Sequence, residues 1–110
     1  MTLQSKFIRN LQKLIEYAKD EGIDILVYEG YRTAERQNNL YKNGLSNCDG
    51  YVTISKHQKG RAADLVVMVD GVAHWGRHWW YEKLGSFWER RGGKWGGRWT
   101  SPYDPYHFEM

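Results

Sequence analysis

The chain has 110 residues, of which 41% are hydrophobic and 26% charged, so we expect one compact domain over residues 1–110 and exclude two. Its single cysteine, Cys48, excludes an internal disulfide. The net charge of +3 suits an anionic partner but does not choose among nucleic acid, membrane and cell wall.

The first half of the chain predicts two helices separated by a strand. Apolar residues recur at three- and four-residue steps over Leu3–Ala18, which is typical of an amphipathic helix. A strand is predicted over Ile23–Glu29. Residues 31–44 predict a second helix, with Thr33 as its N-terminal cap and Gly44 at its end.

The second half predicts a small sheet and a third helix. A loop over residues 45–54 leads into a short β-prone segment. The run over residues 65–69 is apolar on both faces, which favours a central strand, and Asp70-Gly71 predicts a hairpin after it. Apolar residues at helical spacing predict a helix within residues 78–92, and residues 106–110 predict a closing strand. The fold class is therefore α+β, with a small, mostly antiparallel sheet packed with helices.

The segment SKHQKGRAAD, from Ser55 to Asp64, contains the first candidate site. If the chain turns at Gly60-Arg61 with a strand on either side, His57 and Asp64 lie directly opposite each other, with Cβ atoms about 5 Å apart. That separation lets an imidazole nitrogen and a carboxylate oxygen bind one zinc ion at about 2.0–2.2 Å. A shift of one residue breaks the pairing, and the alternative is a turn or capping aspartate beside an ordinary histidine.

The segment DPYH near the C-terminus contains a second candidate. Asp104 stands three residues before His107. A zinc hydrolase needs three protein ligands, an open position for water and a carboxylate that takes the water's proton, so this segment could supply a ligand and a base. The alternative is a loop aspartate followed by an ordinary strand histidine. His74 and His78 flank Trp75-Gly76 without an intervening glutamate, so we do not predict them to be primary ligands.

Five residues match every fixed position of the motif SxHxxGxAxD: Ser55, His57, Gly60, Ala62 and Asp64. With DPYHFE at its end, the chain resembles the family of zinc D,D-peptidases and L-alanyl-D-glutamate peptidases, whose fold is the Hedgehog/D,D-peptidase fold. The segments YEGYRTAERQNNLYKNG, LVVMVDG and KWGGRWTSPYDPYHFE are also similar to family segments and stand in family order. The departures are Arg98, where many relatives carry an acid, and Tyr106, where proline often stands.

The resemblance implies roles for individual residues. The implied zinc ligands are His57, Asp64 and His107. Asp104 would be the general base, and Arg32 would steady the substrate carbonyl or the developing oxyanion. Ser55 and Gln37 match positions with supporting roles in substrate binding.

The implied function is that of a zinc-dependent peptidase that cuts the stem peptide of peptidoglycan, most of all at the L-alanyl-D-glutamate bond. One alternative is a D-alanyl-D-alanine carboxypeptidase. Another is a non-catalytic, zinc-containing wall-binding module, which would need neither Asp104 nor Arg32. A nucleic-acid binder is disfavoured because the 16 Lys and Arg residues are scattered among 13 acidic ones.

The N-terminus, MTLQSKFIRN, lacks the apolar segment of a signal peptide, and no apolar run approaches the roughly 20 residues that cross a bilayer. We therefore expect a protein that is made in the cytoplasm, does not insert into a membrane and reaches the cell wall after release, in the manner of a phage or prophage endolysin. We also expect it to be a monomer.

Overall fold

The computed structural model describes residues 1–110. The helices are α1 (Leu3–Asp20), α2 (Ala34–Lys42) and α3 (Trp79–Arg90). The strands are β1 (Asp24–Glu29), β2 (Ala62–Val69), β3 (Val72–His74), β4 (Lys94–Trp95) and β5 (His107–Glu109). A short 3-10 helix over Gly96–Arg98 follows β4. No helix combines the length and the apolar character that crossing a bilayer requires.

The strands form one antiparallel sheet with β2 at its centre. One edge of β2 pairs with β1, and the other edge pairs first with β5 and then with β3. Strand β4 extends the sheet beyond β5. The predicted α+β class and the central position of the most apolar strand are confirmed.

Alternation along β2 separates a packing face from a functional face. Ala63, Leu65 and Val67 belong to the hydrophobic core, where they meet residues of α1 and α3. Because successive side chains of a strand point to opposite faces, Asp64 projects from the other side of the sheet. On β5, the core residue Phe108 likewise leaves His107 on the face of Asp64.

Local signals account for the ends of several elements. The Thr33 hydroxyl accepts a hydrogen bond from the Arg36 amide at 3.1 Å, so Thr33 caps α2 as predicted. Asp70 and Gly71 both have positive φ, at 51° and 78°, which is the backbone that a two-residue hairpin turn requires. The hairpin between β2 and β3 is thereby confirmed.

The β-prone segment predicted at the end of residues 45–54 does not become a strand. The Asp49 carboxylate accepts hydrogen bonds from the amides of Tyr51, Val52 and Thr53, at 2.9–3.0 Å. These bonds fold the backbone around the aspartate, because the side chain offers the amides an alternative to a strand ladder.

The hairpin proposed around Gly60-Arg61 is also wrong. Residues 56–60 form a turn, and the amides of Lys59 and Arg61 both donate to the Lys56 carbonyl. Strand β2 begins only at Ala62, which pairs with Glu109 instead of with the preceding segment. Strand β4 was not predicted, since two residues carry too little periodicity to be recognised.

We predict that Gly85→Ala lowers the free energy of unfolding by about 1–3 kcal/mol. A Cβ at this position of α3 would overlap the ring of Trp95, which is only 2% exposed and has no room to move. Alanine is the better helix former by about 1 kcal/mol, so a net loss of stability means that the steric cost exceeds this gain.

Urea denaturation measures this difference, with Gly30→Ala as the matched control because no atom lies within 4 Å of its added Cβ. A Gly85→Ala protein as stable as the wild type would contradict the packing described for α3 and β4.

Candidate metal centre

Three side chains converge on the functional face of the sheet. Asp64 of β2 lies opposite His107 of β5 in the strand register, and His57 reaches them from the turn at residues 56–60. Asp64 Oδ1 is 3.3 Å from His57 Nε2 and 3.3 Å from His107 Nδ1. Ligand atoms of all three residues lie within 4.8 Å of one another. The structure therefore brings together the predicted His57–Asp64 pair and the distant His107.

The separations fit a tetrahedral metal ion. Two ligand atoms that are each about 2.1 Å from such an ion lie about 3.4 Å apart, close to the distances from Asp64 to both imidazoles. Two imidazole nitrogens and a carboxylate oxygen are also a donor set that zinc accepts. The residues present thus fit a zinc ion with one coordination position left for water or substrate.

The orientation of His57 is fixed from behind. Its Nδ1 lies 2.8 Å from the carbonyl oxygen of Gly30, which has no proton to give, so the ring nitrogen donates. In the neutral ring this leaves the lone pair on Nε2, the atom that faces Asp64. A lone pair opposite a carboxylate is unfavourable unless a proton or a metal ion lies between them, which supports a cation site.

His107 has a second carboxylate behind it. Its Nε2 is 2.9 Å from Glu109 Oε1, so its Nδ1 is the atom turned toward Asp64. Carboxylate partners of this kind set the tautomer and the basicity of a ligating histidine. Glu109 was not among the predicted site residues. Residues i and i+2 of a strand share a face, so the pair His107–Glu109 was recognisable.

Charges around Asp64 favour its anionic form. Burial would raise the pKa of Asp64, but hydrogen bonds from His107 and His57 outweigh burial and hold its pKa at about 2. Burial likewise opposes protonation of His107, whereas its bonds to Asp64 and Glu109 raise its pKa to about 9. The raised pKa of His107 and the lowered pKa of Asp64 both favour an imidazolium beside a carboxylate.

Arg32 supports Asp64 from the side away from the histidines. Its Nε and Nη2 donate to the two carboxylate oxygens of Glu29, each at 2.8 Å, and its Nη1 donates to Gln37 at 2.8 Å. Its Nη2 also lies 3.7 Å from Asp64 Oδ2. The side chain is buried and held by Glu29 and Gln37, which fixes its positive charge beside Asp64.

The two predicted supporting residues lie in different environments. Gln37 is fully buried. Its side-chain oxygen accepts a hydrogen bond from Arg32, and its side-chain nitrogen donates to the Ser46 hydroxyl and the Cys48 carbonyl. It does not line the cavity, so the structure places it behind Arg32 and out of reach of a substrate. Ser55 does line the cavity, and its hydroxyl accepts a hydrogen bond from the amide of Gln58, in the turn that contains His57.

Asp104 lies at the same cavity, on the loop before β5. It is half-buried, and burial together with the negative charge of Asp64 raises the pKa of its carboxyl above the usual value. The amide of Asp104 donates to the carbonyl of Gly96, and a Cβ on Gly96 would overlap the Asp104 carbonyl. The glycine therefore allows the loop that carries Asp104 to approach the end of β4.

The metal centre opens into a cavity of about 590 Å³. Asp104, Trp99, Arg36 and Cys48 are among the residues that line it. The cavity is large enough for a short peptide and leaves the predicted ligands accessible. His74 and His78 pack against each other and Trp80 and belong to neither the cavity nor the ligand group.

An open site with two histidines, one aspartate and a nearby half-buried carboxyl defines a metallohydrolase type of centre. Residues 49–110 match the model of the peptidase family M15, described as D-alanyl-D-alanine carboxypeptidase. The chain belongs to this family.

Two curated relatives are each 30% identical to the chain. One is the peptidoglycan L-alanyl-D-glutamate endopeptidase CwlK of Bacillus subtilis, where the match covers 93% of the chain and 70% of the relative. The other is the L-alanyl-D-glutamate peptidase of Listeria phage A118, where it covers 90% of the chain and 34% of the relative. The chain thus spans about a third of the phage protein.

Solved structures confirm the predicted fold. The L-Ala D-Glu endopeptidase ChiX of Serratia marcescens superposes with a TM-score of 0.74 at 26% identity, over 94% of the chain and 77% of that protein. The D,D-pentapeptidase VanY, solved with Zn(II), gives a TM-score of 0.64 at 23% identity, over 94% of the chain and 70% of VanY. This second likeness concerns the fold alone.

We predict that Glu109→Gln weakens zinc binding by about 10- to 100-fold. The amide keeps the shape of the side chain but removes the negative charge that accepts the His107 Nε2 proton. Titration against a chelator of known affinity measures the change.

The control is Glu16→Gln, which removes the same charge from a side chain that is 70% exposed on α1. Equal zinc affinities of the Glu109→Gln and Glu16→Gln proteins would contradict a supporting role for Glu109.

Proposed function

We propose that this chain is the catalytic domain of a zinc-dependent peptidase that hydrolyses a peptide bond in the stem peptide of peptidoglycan. The convergence of His57, Asp64 and His107 in an open cavity carries the proposal, because no packing role requires two imidazoles to face one carboxylate oxygen. The three ligands and the adjacent carboxyl come from one chain, which is consistent with a monomer.

The reaction we propose adds water to the substrate carbonyl carbon and breaks the carbon–nitrogen bond. Zinc held by His57, Asp64 and His107 would supply Lewis acidity, which lowers the pKa of water and polarises a carbonyl. Asp104 accepts the proton of the attacking water and transfers it to the departing amine nitrogen. Its raised pKa suits this exchange, since a more basic carboxylate is a better proton acceptor.

Arg32 acts mainly through Asp64 in this scheme. The guanidinium is held by Glu29 and Gln37, and its Nη2 lies near the Asp64 oxygen that does not face the histidines. These hydrogen bonds leave one N–H free on each of Nη1 and Nη2, so a contact with the substrate carbonyl would use those hydrogens. The positive charge also lowers the energy of negative charge that develops in the cavity.

The L-alanyl-D-glutamate bond is the first choice of substrate. CwlK, the Listeria phage peptidase and ChiX are all named for this bond, and ChiX also shares the fold at 26% identity. The D-alanyl-D-alanine bond is the second candidate because the family description names that activity. Cell-wall lysis after release from the cytoplasm is the setting we propose, and the phage relative supports it.

We predict that the zinc-loaded protein releases new D-glutamate amino termini from purified peptidoglycan and that a chelator abolishes the release. Mass spectrometry of the digest identifies the new ends. Free D-alanine instead would select the carboxypeptidase alternative. No release of either kind by protein that contains stoichiometric zinc would refute the peptidase proposal.

We also predict that Asp104→Asn lowers kcat by about 10²- to 10⁴-fold while zinc stays bound. The amide cannot accept a proton, and residue 104 is outside the ligand group. Stopped assays and zinc analysis of the same preparation separate the two properties. Asp20→Asn, an exposed position at the end of α1, is the matched control. Near-wild-type kcat in Asp104→Asn would remove Asp104 from the mechanism.

A further inference from the structure

The cavity wall contains three basic side chains besides the histidines, and one of them has no partner. Arg32 is paired with Glu29 at 2.8 Å, and Arg36 lies 3.7 Å from the same carboxylate. Lys56 lines the cavity but takes part in none of the ion pairs of the chain, and its ammonium makes no hydrogen bond to a protein group.

The surroundings of Lys56 compensate its positive charge only in part. It is half-buried, and the positive charges of Arg61, Lys59 and Lys94 repel its ammonium group. The carboxylate that offsets them is Glu109, which is already bonded to His107 Nε2. A partly desolvated ammonium without a partner raises the free energy of the protein, and an anionic ligand would lower it.

The position of Lys56 is fixed relative to the metal centre. It precedes His57 directly, and its carbonyl accepts the amides of Lys59 and Arg61 at 3.1 and 3.0 Å, so the turn holds the backbone. A ligand group that reaches Lys56 therefore lies in the same cavity as the bond to be cut.

Both candidate substrates carry a carboxylate close to the bond that is broken. In the stem peptide, D-glutamate is linked onward through its side-chain carboxyl, so its α-carboxylate is free beside the nitrogen of the L-alanyl-D-glutamate bond. In D-alanyl-D-alanine the terminal α-carboxylate stands at the same place relative to the scissile nitrogen. The shared feature is an α-carboxylate on the residue that leaves as the amine.

We propose that Lys56 binds this α-carboxylate and so selects substrates whose leaving residue is anionic. The inference rests on the proposed peptidase function and adds the group that recognises the leaving side of the bond. The two arginines are less suited, because Arg32 is buried against Glu29 and Gln37 and Arg36 shares Glu29. A hydrogen bond between an ammonium and a carboxylate contributes about 1.5–3 kcal/mol in other proteins, which is a tenfold effect or more.

The test compares two stem peptides that differ in one group, with D-glutamate as the free α-carboxylate or as the α-amide. The zinc-loaded wild type should cleave the acid with a KM at least about tenfold lower than that of the amide. Lys56→Gln should raise KM for the acid to that of the amide, with kcat changed little. Lys56→Arg should restore part of the preference.

Lys59→Gln is the matched control. It removes the same charge from a side chain that is exposed and outside the cavity, three residues further along the chain. It should retain the wild-type preference. A Lys56→Gln protein that still prefers the acid as strongly as the wild type would overturn the proposal, and so would a wild type that does not distinguish the two peptides.

The failure of the proposed function has a different signature. If the wild type cleaves neither these peptides nor their D-alanyl-D-alanine counterparts, the peptidase assignment fails. Equilibrium binding of the same acid and amide peptides to the zinc-loaded proteins then decides the subsite. Preferential binding of the acid by the wild type and by Lys59→Gln, but not by Lys56→Gln, would uphold it, and equal binding would reject it.

Discussion

The contact of one carboxylate oxygen with two imidazoles, Asp64 Oδ1 with His57 Nε2 and His107 Nδ1, is the constraint on which the architecture depends. Asp64 lies on the most buried strand of the sheet, where an unpaired charge would be costly. Arg32 on one side and the two histidines on the other make its ionised form stable. The central strand therefore carries a charge only because three separate segments are folded against it.

The residues behind the three proposed ligands connect this contact to other segments of the chain. His57 is held by the carbonyl of Gly30, at the end of β1, and His107 by Glu109 on its own strand. Arg32 is clamped between Glu29 and Gln37. These contacts orient the ligand atoms before any ion is bound, which reduces the conformational freedom that binding would have to remove. The site is thus a property of the sheet and its flanking segments together.

Sequence patterns predicted most of the fold because helices and the buried strand have strong periodicity. They also predicted the residues that converge, although for the wrong geometric reason. His57 and Asp64 meet through a turn and not as a cross-strand pair. The carbonyl of Lys56 accepts hydrogen bonds from two amides and so forms this turn before β2 starts. The burial of Gln37 could not be predicted, because nothing local in a polar helix shows which side chain a distant loop will cover.

The C-terminal segment couples the packing of the core to the chemistry of the site. Trp95 is buried against α3, and its indole nitrogen donates to the carbonyl of Pro105, between the proposed base and the last ligand. The Asp104 amide is bonded to Gly96, directly after Trp95. Because Trp95 holds Pro105 and its neighbour Gly96 holds Asp104, we expect a packing change at Trp95 to shift Asp104 and His107 together. The stability of the core and the alignment of Asp104 with His107 are therefore not independent properties of this chain. A loss of activity after a core substitution has to be separated from a loss of folding by measuring both.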